Sequence, residues 1–102
     1  MSVHLHVTLE VKAAGLPAFC EVMGEAVEIL EERGWMLAGA FVQRTGRLNT
    51  VIDLWRLDDM NHFDTGLKAF LAHPRFAAIK AVLDETVISE TIVFADEAPY
   101  AR

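Results

Sequence analysis

Residues Gly34–Leu57 read Gly-Trp-Met-Leu-Ala-Gly-Ala-Phe-Val-Gln-Arg-Thr-Gly-Arg-Leu-Asn-Thr-Val-Ile-Asp-Leu-Trp-Arg-Leu. Two runs rich in β-branched and aromatic residues, Trp35 to Arg44 and Leu48 to Leu57, flank Thr45-Gly46-Arg47. A short Gly-containing connection between two such runs predicts an antiparallel hairpin. Gly39 has no side chain to pack inside the first run and marks a bulge, a bend or a close backbone approach. In the second run Asn49, Val51, Asp53 and Trp55 share one face, and Thr50, Ile52 and Leu54 share the other. The second set is the more uniformly aliphatic, so it is the face expected to pack on helices.

Upstream, Val3 to Lys12 alternates strictly. Val3, Leu5, Val7, Leu9 and Val11 are apolar, and His4, His6, Thr8, Glu10 and Lys12 are polar. Period two predicts a strand with one face in a core. Leu16 to Arg33 reads as a helix, with Pro17 in its first turn, where a missing N–H costs nothing, and Gly34 as its stop. Leu16, Phe19, Cys20, Met23, Val27 and Leu30 form its apolar stripe, which makes Cys20 a core cysteine.

Downstream, Asp58-Asp59 supplies an N-cap for a second helical region. His73-Pro74 breaks that region, because the residue before proline is pushed out of helical geometry. Thr86 to Ala95 is a last strand, and residues 96–102 form a tail. The order is βαββαβ, with no linker or repeat, so residues 1–102 form one domain. The simplest α+β packing is ferredoxin-like: a four-stranded antiparallel sheet with the helices on one face. The other sheet face is left bare. With 53% hydrophobic residues in 102, that face is expected to pair with a second copy, giving a homodimeric α/β barrel.

The net charge is −6, and there is no Lys or Arg cluster, so neither nucleic acid nor an anionic membrane is an expected partner. No apolar run approaches the ~20 residues of a membrane span. The stretch from Met1 shows no leader pattern, and the single Cys20 cannot form an intrachain disulfide. A cytoplasmic protein is expected. There is no Gly-rich phosphate loop, cysteine pair or nucleophile elbow, so no cofactor is expected.

Several of these residues form a known pattern. Gly46-Arg47-Leu48-Asn49-Thr50-Val51-Ile52-Asp53-Leu54-Trp55 resembles the hallmark of NIPSNAP-domain proteins: Gly, then Leu-Asn, two aliphatic residues, His, Leu, Trp. Gly34-Trp35 to Phe41 is similar to that family's Gly–aliphatic–Gly–aromatic strand. Leu71-Ala72-His73-Pro74-Arg75-Phe76 resembles its Asp-Pro-aromatic break between helices. The resemblance implies a dimeric α/β barrel, in the superfamily that also holds small monooxygenases, cyclases and haem-degrading proteins. This sequence departs from the pattern twice. Asp53 stands where the family usually has His, and His62 and Lys68 occupy a helix that usually carries Arg.

If the polar set of each strand faces the barrel, the interior holds His4, His6, Asn49, Asp53 and Trp55. A His beside a carboxylate can act as a general base, so His6 and Asp53 are the catalytic candidates. His4, Asn49 and Trp55 are the ligand-binding candidates. The His4-x-His6 pair has no identifiable third ligand, so no metal site is assigned. Three readings stay open: an enzyme acting on a small hydrophobic or aromatic molecule, a non-catalytic ligand-binding or stress-response module, and a purely structural dimer.

Overall fold

A computed structural model describes residues 2–102; Met1, where the stretch read for a leader begins, lies outside them. The elements run β1 (Val3–Val11), a 3₁₀ turn (Ala13–Gly15), α1 (Leu16–Glu32), β2 (Met36–Val42), β3 (Thr50–Leu57), α2 (Met60–Leu71), α3 (Phe76–Thr86) and β4 (Val87–Ala95). The strands form one antiparallel sheet in the order β2-β3-β1-β4. The helices cover one face, giving a slab with extents of 39 × 36 × 17 Å. This is the expected ferredoxin-like α+β arrangement. Among the described residues no helix is long and apolar enough to cross a membrane.

Local chemistry sets the element ends. The Asp59 side chain caps α2 by accepting from the His62 N–H at 2.9 Å. Gly34 leaves α1 at φ +92°, a conformation that an L side chain resists. Gly39 lies at a register shift between Leu37 and Gly39, so the bulge is real. The hairpin connection is longer than expected, because β2 ends at Val42 and β3 begins at Thr50. Asn49 closes that connection at φ +58°, and its carbonyl accepts from the Val11 N–H at 3.0 Å. Asn tolerates this region better than most residues, which gives Asn49 a backbone role.

The expected assignment of faces is corrected by the register. Leu5 pairs with Trp55 and Phe94, Val7 with Asp53 and Ile92, and Leu9 with Val51 and Glu90. Direct cross-strand partners share a face. Asp53 and Trp55 therefore lie with the apolar β1 residues, under the helices. His4, His6, Thr8 and Glu10 lie on the bare face with Ile52 and Leu54. The physical reason is burial: Leu5, Val7, Leu9, Val11, Trp55 and Leu57 are large and buried, and together they outweigh the half-buried pair Ile52 and Leu54.

Cys20 is a second correction, since it is exposed. The buried stripe of α1 is Phe19, Val22, Ala26, Ile29 and Leu30. Cys20 is rotated off it and, with Met23 and Val27, which pack partly buried against the core as expected, borders a groove between α1 and β2.

Candidate functional site

A cavity of about 310 Å³ lies between the sheet and the helices. Its floor comes from the helix-side residues of β1, β3 and β4, and its roof from α1, α2 and α3. The walls are almost wholly apolar. A run of aromatic rings crosses it. Phe94 meets Phe63 edge-on at 5.1 Å, Phe63 stacks on Trp35 at 5.6 Å, and Trp35 meets Trp55 edge-on at 5.4 Å. Offset and edge-on pairs of this kind hold rings in fixed orientations.

Trp35 is held from two sides. Its indole N–H donates to the His62 carbonyl at 3.0 Å, which joins the start of β2 to α2. Gly66 on α2 faces the same indole, and a Cβ there would collide with Trp35 Nε1. His62 adds a second tie. Its Nδ1 accepts from the Asp58 backbone N–H at 3.1 Å, so Nε2 carries the proton and donates to the Arg33 carbonyl at 2.7 Å. One imidazole thus fastens the end of α1 to the beginning of α2.

Among the described residues two ionisable groups line the cavity: Asp53 from β3 and Glu90 from β4. The helices contribute none. Asp53 is 4% exposed. Among the described residues its carboxyl makes no side-chain hydrogen bond or ion pair, and its oxygens are not sealed in the core but face the cavity. Burial, and secondarily the negative charge of Glu90, push its carboxyl up to about 6. A carboxyl poised there exchanges a proton near neutral pH, which is the property required of a general acid or base.

The candidate residues are thereby divided. Asp53 and Trp55 meet in the cavity. His6 lies on the opposite face, flanked by Leu54 and Val93, so it does not reach Asp53 through the sheet. His4 lies on that face too, with Nε2 3.4 Å from Glu97 of the tail. Asn49 is not part of the cavity wall. Among the described residues no group of three or more His, Cys, Asp or Glu side chains is gathered to hold a metal. Glu90, Trp35 and Phe63 were not singled out from the sequence. Glu90 did leave a signal, as an acid inside the β-branched run Val87 to Ala95.

A model of the NIPSNAP family matches residues 6–94. The chain belongs to the NIPSNAP family. A NIPSNAP domain protein from Burkholderia xenovorans superposes with a TM-score of 0.82 at 23% identity, covering 100% of this chain and 99% of that one. A NIPSNAP family protein from Agrobacterium tumefaciens superposes at 0.88 and 15% identity, covering 99% and 97%. An antibiotic biosynthesis monooxygenase superposes at 0.73 and 16% identity, covering 95% and 99%. No curated protein matches the sequence. At these identities the solved structures share the fold, and the match to the family model is what places the chain among NIPSNAP proteins.

Proposed function

We propose that this NIPSNAP domain binds a small, largely apolar molecule between its sheet and its helices, with Asp53 holding the ligand's polar group. The observation that carries the reading is the unpartnered Asp53 carboxyl at the floor of an aromatic-walled cavity. Leaving a buried carboxyl without a partner costs stability, so such a group signals a use for it. The cavity volume falls at the low end of small-molecule sites, which run ~300–1,000 Å³. Trp55, Trp35 and Phe63 supply flat surfaces for a ring, and Asp53 supplies the single deep polar contact. If the bound molecule is also transformed, Asp53 is the group that takes or returns its proton.

The test is a crystal structure of the protein soaked with a panel of small aromatic compounds. A ligand ring beside Trp55, with a polar atom within ~3.2 Å of the Asp53 carboxyl, is the expected result. Ligands found only on the bare sheet face would refute the reading. For any substrate so identified, Asp53→Asn is expected to lower turnover by about a hundredfold or more. Unchanged turnover would remove Asp53 from the chemistry and leave it as an anchor.

We also infer a homodimer formed through the bare sheet face. Phe41 is 58% exposed there and Val93 48%, with half-buried Ile52 and Leu54 between them. A second copy packed on this face would cover these apolar side chains, with His4, His6 and Thr8 between them.

A further inference from the structure

The charges around the cavity narrow the class of ligand. Both ionisable residues in its wall, Asp53 on β3 and Glu90 on β4, are acids. Among the described residues α1, α2 and α3 place no ionisable residue in it, and no Lys, Arg or His lines it. An anionic ligand would enter without a counter-charge and against two carboxylates. A neutral ligand would leave those carboxylates repelling one another. A cation relieves that repulsion and returns to Asp53 the partner that burial has removed. The walls are aromatic as well: Trp35, Trp55 and Phe63 border the cavity, Trp35 and Phe63 stacked on each other, and a ring face turned to the cavity attracts a cation. Glu90 is itself exposed, on β4 at the cavity wall.

We propose that the cavity selects a small arylalkyl amine in its protonated form, the ammonium donating to Asp53 with Glu90 beside it and the ring lying against the aromatic wall that Trp35, Trp55 and Phe63 form. The proposal rests on the reading of this cavity as a ligand site. It adds the charge of the ligand.

The two tryptophans of the chain, Trp35 and Trp55, both border the cavity, so intrinsic fluorescence reports on this site alone. Three probes of matched size test the proposal: phenethylamine, phenethyl alcohol and phenylacetate, titrated at pH 8. Phenethylamine is expected to bind at least about tenfold tighter than the alcohol, and phenylacetate weakest of all. The wild-type affinity for the amine should rise from pH 5 to pH 8 as Asp53 ionises, while that for the alcohol stays flat. Asp53→Asn should bring amine and alcohol to similar affinity. Glu90→Gln, at an exposed position, should narrow the gap about twofold to threefold. Equal affinity for amine and alcohol in the wild type overturns the amine assignment and leaves the cavity as a ligand site. A fluorescence response to none of the three at millimolar concentration overturns both.

Discussion

Asp53 costs the fold something, and the sign of that cost follows from its pKa. Its carboxyl is raised from the ordinary value near 3.8 to about 6, chiefly by burial. The folded protein therefore holds this proton more tightly than the unfolded chain does. Stability falls as pH rises from about 4 to about 6, and the penalty is fully present above that window. About two pKa units correspond to about 3 kcal/mol. Asp53→Asn keeps the shape and removes the charge. The variant should melt higher than the wild type at pH 8, and the two should converge near pH 4. Thermal unfolding followed by circular dichroism at the two pH values checks this. A wild type more stable than the variant at pH 8 would mean that Asp53 has a stabilising partner. A group that destabilises its own fold while facing a cavity is a common sign of function placed ahead of stability.

At the scale of elements, two helix glycines separate packing from propensity. Gly24 lies exposed in α1, with nothing within 4 Å of an added Cβ. Gly66 lies buried in α2 against the Trp35 indole. Gly24→Ala should stabilise by ~0.5–1 kcal/mol, because alanine loses less backbone freedom in a helix. Gly66→Ala gains the same term but forces Trp35 aside, for a net loss of ~1–3 kcal/mol. Urea midpoints for the two variants should move in opposite directions, and a parallel shift would show that Trp35 moves freely. The same contrast explains what was legible in the sequence. Strand and helix periods are local, so the βαββαβ order, the Asp59 cap and the break at His73-Pro74 could be read directly. Which face of β3 meets the helices is set by register against β1, and a slip of one residue inverts every side chain. Asp53 and Trp55 were therefore recognisable as a pair, while their separation from His4 and His6 was not. Glu90 could be seen as an odd acid in a strand, but its place beside the cavity depends on β4 pairing with β1.

The whole molecule is two layers, and one face of its antiparallel sheet is left open. α1, α2 and α3 bury one face, and the other presents Phe41, Ile52, Leu54 and Val93 around the half-buried His4 and His6. A second copy placed face to face would close the two sheets on each other and leave both helix-side cavities on the outside, where ligand can reach them. The inferred dimer and the inferred ligand site are thus independent. Sedimentation equilibrium at micromolar concentration should give twice the chain mass for the wild type. Ile52→Glu places a charge that water solvates on a monomer but that would be buried and unpaired between sheets. It should shift the mass toward monomer while the circular dichroism spectrum is retained. Because the cavity opens on the opposite side of the sheet, the same variant should bind an aromatic probe with the wild-type fluorescence response. If monomerisation abolished that response, the cavity would depend on the second copy for its shape, and the two faces of the sheet would have to be coupled through β1 and β3.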